Sequence, residues 1–96
     1  MAGSDMCKAN LSCADLTNAN LDHTMLADAL LYDANLTSVS LRGAVLRGAN
    51  MCGARLRDAN LEAADLEGAN LYGVDLCGAN LRESHTEGID FTTNSA

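Results

Sequence analysis

Every fifth residue from Met6 to Phe91 is large and apolar except Thr86, and no insertion or deletion interrupts the series. Leucine holds nearly all of these centres, with Met6, Met51 and Phe91 as variants. Two positions before each centre stands a small residue, most often alanine, as at Ala9, Ala14, Ala19, Ala44, Ala59 and Ala69. Directly before the centre stands Asn or Asp, as at Asn10, Asp15, Asn20, Asn60, Asp65 and Asn80. The unit reads Ala-Asn/Asp-Leu-x-x, frequently closing on glycine.

This period fits neither regular element. On an α-helix, leucines five apart rotate by about 140° each and spread round the cylinder without forming an apolar face. Asn, Asp and Gly at fixed positions weaken a helix further. Along one continuous strand, residues five apart point alternately to opposite faces, which exposes half of the leucines. Ala and Leu two apart do share a strand face. The pattern therefore describes a very short extended piece with both apolar residues inward, then a turn that reorients the chain. Gly43, Gly48, Gly53, Gly68, Gly73, Gly78 and Gly88 fall where a positive φ is cheapest.

Charge decides how many such pieces close a coil. Stacked coils bring equivalent outward residues about 4.8 Å apart, where opposite charges help and like charges hurt. With twenty residues per coil, the position after the centre yields the column Asp22, Arg42, Glu62, Arg82, which alternates in sign, and sets Arg47 against Glu67. Glu67 against Glu87 is the one like-charge neighbour at this position. A fifteen-residue coil stacks Arg42 on Arg57; a twenty-five-residue coil stacks Arg57 on Arg82 and Glu62 on Glu87. Four pentapeptides per coil are expected.

Runs such as Ala59-Asn60-Leu61-Glu62-Ala63-Ala64-Asp65-Leu66-Glu67-Gly68-Ala69-Asn70-Leu71 resemble the pentapeptide-repeat proteins, and the resemblance extends over essentially the whole chain. It implies an all-β fold, a right-handed quadrilateral parallel β-helix, here of about 4.5 coils, or roughly 22 Å of rise. One repeat domain is expected over residues 4–93, with a frayed tail at 94–96. The resemblance also implies that a group of longer, acidic, dimeric members mimic DNA and bind type II topoisomerases. The present chain is shorter, uses Leu where those members often use Phe, and ends in a polar Thr92-Thr93-Asn94-Ser95-Ala96 rather than a helical dimerisation segment.

Composition agrees with a narrow core: 48% of the 96 residues are apolar, yet Tyr32, Tyr72 and Phe91 are the only aromatic side chains. Stability is then a sum of coil and nearest-neighbour terms. A net charge of −7, with six unclustered basic residues, opposes direct nucleic-acid binding. The N-terminal residues lack a secretory pattern and no apolar run approaches membrane-spanning length, so a cytoplasmic setting is expected. Cys7, Cys13, Cys52 and Cys77 include no Cys-x-x-Cys pair and fall on different faces, which suits reduced thiols that bind no metal.

The ends and two irregularities remain. Each end presents open strand edges above an apolar core. Ile89 and Phe91 are expected to plug one end; at the other, Leu11, Leu16 and Leu21 are expected to be exposed, which suggests end-to-end self-association or stacking on another repeat protein. Met25, Leu30 and Val45 occupy the outward position reserved for Asn or Asp, Met25 directly beneath Val45. They read either as isolated surface apolar residues or as a contact patch.

Catalysis requires polar groups converging in a concave pocket, and a filled prism with flat sides supplies none. His23 and His85 fall on different sides and read as solvated residues, while Cys52 packs between Tyr32 and Tyr72 in one outward column. The Asn/Asp columns are expected to satisfy turn backbones rather than to bind metal. No phosphate-binding loop, nucleotide fingerprint or zinc spacing is present. The chain therefore reads as a non-enzymatic structural or protein-interaction module without cofactors. The alternatives are a DNA mimic that binds a topoisomerase such as gyrase, or one piece of a longer solenoid. A 22 Å length of duplex carries roughly 13 charges, about twice what this chain offers, which weighs against mimicry.

Overall fold

The protein, described here from a computed structural model, is resolved in its coil geometry over residues 2–89. Each side of the coil pairs with the next coil through a single residue, the one before the centre. Every such bridge is parallel and joins residues twenty apart. Four columns result. The first side carries Asp5, Met25, Val45, Asp65 and His85; the second carries Asn10, Leu30, Asn50 and Asn70. The third carries Asp15, Asn35, Arg55 and Asp75, and the fourth Asn20, Ser40, Asn60 and Asn80.

Local hydrogen bonding explains why five residues make one side. The N–H of the small residue donates back across the corner to the carbonyl of the preceding centre, as from Ala29 to Leu26 at 3.1 Å and Ala49 to Leu46 at 3.0 Å. The second corner residue has positive φ, which makes each corner a type II turn. Sequence reasoning assigned this position to glycine. The structure also places Lys8, Cys13, Asn18, His23, Asp28, Asp33, Ser38, Asp58, Ala63 and Glu83 there, with φ between 57° and 64°. Asn and Asp are the side chains that enter that region most readily, and at each of these corners from Lys8 to Ala63 the backbone N–H is bonded to the next coil, as from Asp33 to Cys52 at 2.9 Å and His23 to Arg42 at 2.8 Å.

Those bonds come in three sets. The centre N–H reaches the next coil, as Leu26 to Val45 at 2.7 Å, and so does the second corner N–H, as Asp28 to Arg47 at 2.9 Å. The N–H of the bridging residue reaches back, as Asn50 to Ala29 at 2.9 Å. Inside, the leucines and alanines form one continuous core from Leu21 to Leu76 in which most side chains are wholly buried. Fully burying a leucine contributes about 1.5–3 kcal/mol, so the repeated centre is the main source of stability.

The N-terminal end departs from expectation. Leu21 is fully buried rather than exposed, while Leu11 and Leu16 are half-buried. Residue 21 already begins the second layer, and Gly3 donates to the Asp22 carbonyl at 2.9 Å, so the N-terminal residues run beneath it. Thr24 is a polar residue within the core. At the other end Ile89 packs half-buried against the core. Phe91, the second part of the expected plug, and the tail 94–96 lie outside the described residues.

Candidate functional site

One backbone group per pentapeptide, the N–H of the first corner residue, is left over by the bonds between coils. The Asn or Asp before the centre accepts it. Asn50 Oδ1 takes the N–H of Cys52 at 3.1 Å, Asn60 that of Glu62 at 3.1 Å, and Asn70 that of Tyr72 at 3.0 Å. The first and fourth coils repeat the contact from Asp5, Asn10, Asp15, Asn20, Asp65, Asp75 and Asn80. These columns thus perform the turn-satisfying role that the sequence suggests. The N–H of Cys77, with Arg57 adding to it, holds the Asp75 carboxyl below the usual carboxylate range. The N–H of Cys7 does the same for Asp5, and the hydroxyl and N–H of Thr17 do it for Asp15. In turn Asp5 pushes the Cys7 thiol up, which makes that sulfur less nucleophilic.

The second coil keeps this rule at Asn35, which accepts the Thr37 N–H at 3.2 Å, and breaks it on its first two sides. Met25, Leu30 and the overlying Val45 have no oxygen to offer the corner N–H groups of Ala27, Tyr32 and Arg47. Met25 is 41% exposed and Tyr32 39% exposed, with Tyr72 at 62%, while Leu30 and Val45 are half-buried. Followed round the second coil, the outward residues run Met25 on the first side, Ala27 at the corner, Leu30 on the second side and Tyr32 at the next corner. The column above Tyr32 continues through Cys52 to Tyr72. The structure thus places Met25, Leu30 and Val45 on one apolar belt and adds Tyr32 and Tyr72 to it. Sequence reasoning treated the tyrosines as ladder packing; their spacing of two residues from the belt's second side was the signal.

Ser40 shows what the rule demands when the usual side chain is too short. Here Asp22, one coil below, accepts both the Arg42 N–H at 2.9 Å and the Ser40 hydroxyl. The expected charge column is therefore arranged unevenly. Asp22 serves the backbone of Arg42, the Arg42 guanidinium lies 3.6 Å from Glu62, and Arg82 forms no ion pair among the described residues. Arg47 pairs with Glu67 and lies 3.6 Å from Asp65, and Arg57 reaches Asp75 at 2.8 Å.

The sides are not uniformly flat. Where the fourth side turns into the first, the small Gly43 and Ala63 lie between His23 and Glu83, leaving an open depression bordered by Arg42 and Glu62. Its polar groups are spread round a rim, and neither His23 nor His85 meets a cysteine or a second histidine. The four cysteines are free thiols, three of them exposed, and no cluster of metal-ligating side chains occurs among the described residues.

The family model for pentapeptide repeats matches the chain in 8 copies, over residues 1–26, 29–68, 44–83 and 59–92. The chain belongs to the pentapeptide repeat family. Its coil is accordingly the right-handed quadrilateral β-helix of that family. Among solved pentapeptide repeat proteins it is similar to HetL, involved in heterocyst differentiation regulation in the cyanobacterium Nostoc sp. strain PCC 7120. The identity is 38%, with a TM-score of 0.85 over 88% of this chain and 39% of HetL. It is similar to Rfr23 from the cyanobacterium Cyanothece 51142, at 42% identity and a TM-score of 0.61 over 90% of this chain and 63% of Rfr23. A pentapeptide repeat protein of the Arabidopsis thaliana thylakoid lumen gives 28% identity and a TM-score of 0.60 over 96% of this chain and 61% of the other. This pentapeptide repeat protein thus spans less than two thirds of each. No curated protein matches it by sequence.

Proposed function

We propose that this pentapeptide repeat protein is a non-catalytic interaction module that recognises another protein through the belt formed by Met25, Leu30, Val45 and Tyr32, extended upward to Tyr72. One observation carries the reading. The coil directs large apolar side chains inward at every centre, yet Met25, Tyr32 and Tyr72 remain 41%, 39% and 62% exposed, with Leu30 between Met25 and Tyr32 along the coil and Cys52 between the two tyrosines up the column. Met25, Leu30 and Val45 hold those places at the expense of side-chain bonds that an Asn would make. Contiguous exposed apolar surface marks contact sites, and Tyr is enriched among residues that dominate binding energy. A solenoid supplies the rigid, extended platform on which such a surface works.

The test is capture from a lysate of the protein's own source, with wild-type chain and a Met25→Asn, Tyr32→Ser, Tyr72→Ser variant immobilised in parallel. A partner retained by wild type through high salt and lost from a variant at least as thermally stable is the expected result. Equal retention by both would overturn the reading. DNA mimicry finds less support, because Arg42, Arg47 and Arg57 neutralise Glu62, Glu67 and Asp75 and break the negative rows a duplex would require. The expected outcome of a DNA supercoiling assay is no inhibition even at large excess of the protein.

A further inference from the structure

Charge is distributed unevenly along the solenoid. No Lys or Arg occurs between Lys8 and Arg42, while Asp15, Asp22, Asp28 and Asp33 all fall in that stretch, and so does most of the belt. Asp15 and Asp22 are occupied with Thr17, Ser40 and the Arg42 backbone. Asp28 and Asp33 are different. Both are exposed, and neither enters an ion pair among the described residues. Lys8 stands one coil below Asp28 without pairing to it; in the coil above, Arg47 is engaged with Asp65 and Glu67 and Arg57 with Asp75, while Arg55, on the third side, pairs with neither aspartate. The two free carboxylates occupy the two corners that flank Leu30, and both lean up against the glycine of the next coil, Asp28 on Gly48 and Asp33 on Gly53.

We infer that the partner of the belt is a basic, apolar protein segment, with Lys or Arg meeting Asp28 and Asp33 and a large apolar side chain between them on Leu30. This rests on the reading of the belt given above and names the chemistry of its partner. The apolar belt supplies contact area, and the two carboxylates select sign and register. Electrostatic complementarity of this kind governs specificity and association rate more than total affinity. An acidic or neutral apolar segment would meet two uncompensated charges.

Fluorescence anisotropy with three synthetic peptides tests it: one alternating Lys and Leu, one Lys and Ser, one Glu and Leu. The Lys/Leu peptide binds best, and its affinity falls about ten-fold on the double substitution Asp28→Asn, Asp33→Asn, taking roughly three- to five-fold per exposed pair. Asn accepts positive φ as readily as Asp, so the variant keeps its corners. The control Asp58→Asn, Glu83→Gln removes the same charge from the other two corners and leaves affinity within about two-fold. An equal loss from both double variants would reduce the effect to net charge and overturn the inference, as would equal binding of the Glu/Leu peptide. Sedimentation with phosphatidylcholine vesicles that depends on Met25 and Tyr32, or self-association abolished by Asp28→Asn, Asp33→Asn, would assign the belt to a lipid surface or a second copy instead. If lysate capture requires the belt but the peptides are not discriminated, the basic partner falls and the interaction surface stands. If neither responds, the belt reading itself fails.

Discussion

The carboxylate of Asp28 fills the space that a β-carbon on Gly48, one coil above, would need. Asp33 does the same to Gly53 and Asp58 to Gly78, and the Nδ1 of His23 would lie 2.6 Å from a β-carbon on Gly43. Gly68 and Gly73 stack instead over other glycines, with their nearest neighbours at 3.8 and 3.9 Å. Two reasons for glycine are thus separable, since positive φ acts at all of these positions and crowding from the coil below at only some.

Gly48→Ala and Gly68→Ala share the cost of a left-handed alanine, about 1–2 kcal/mol. Gly48→Ala also forces Asp28 from its rotamer, adding about 0.5–1.5 kcal/mol. Denaturant unfolding should therefore rank Gly48→Ala below Gly68→Ala. The difference should vanish when both are made in an Asp28→Gly background, and a persistent difference would show that the carboxylate is not its cause.

Met25→Asn supplies the missing acceptor for the Ala27 N–H and is expected to raise stability by about 0.5–1 kcal/mol. The reverse change at a regular position, Asn50→Met, removes the bond to Cys52 and should cost about 1 kcal/mol. The pair is read from midpoints of urea unfolding. Stabilisation by Met25→Asn together with loss of captured partner would identify an apolar residue kept at a cost to the fold.

Asp5, Asp15 and Asp75 have folded-state pKa values below their ordinary value of 3.8. A carboxyl depressed on folding stabilises above its unfolded pKa, and that contribution is lost as pH falls through the folded value. Stability should hold between pH 7 and 5 and then decline below about pH 4. Replacing all three by Asn keeps an acceptor for each corner N–H and removes the titration, so the acid decline of the unfolding midpoint should flatten. An unchanged acid limb would place the sensitivity elsewhere.

Ser12 Oγ is buried without a hydrogen-bond partner among the described residues. Leaving such a group unmet costs about 1–3 kcal/mol, so Ser12→Ala should raise the melting temperature, whereas Thr17→Ala, which removes a hydroxyl bonded to Asp15 at 2.6 Å, should lower it. Calorimetry on the two variants checks the contrast in sign.

Most of the architecture was readable from the period of the leucines, because a repeat without insertions leaves few ways to close a core. The coil of twenty followed from charge, and the Asn/Asp columns from the chemistry of turns. Other features were hidden for physical reasons. Aspartate and histidine at positive φ are invisible to a rule that equates that region with glycine, since bonds between coils offset the backbone cost. The burial of Leu21 accompanies the N-terminal residues running beneath the second layer, where Gly3 bonds the Asp22 carbonyl, a placement the period alone does not specify. Asp22 also illustrates how a column of alternating charges can be diverted: the nearest unmet donor was a backbone N–H made available by the short side chain of Ser40. The belt was half legible, through Met25, Leu30 and Val45. The tyrosines belong to it only once the corner positions are placed beside the sides.

The centres and small residues are nearly interchangeable from one side of the coil to the next, whereas the outward residues are not. Loss of a single pentapeptide between Arg47 and Glu67 would leave Leu stacked on Leu and Ala on Ala. It would also rotate everything above by a quarter turn, moving Tyr72 off the Tyr32 column and parting Arg47 from Glu67. Interior and exterior therefore obey different clocks. Changes in length by five residues are invisible to the core, and only changes by twenty preserve the message written on the outside.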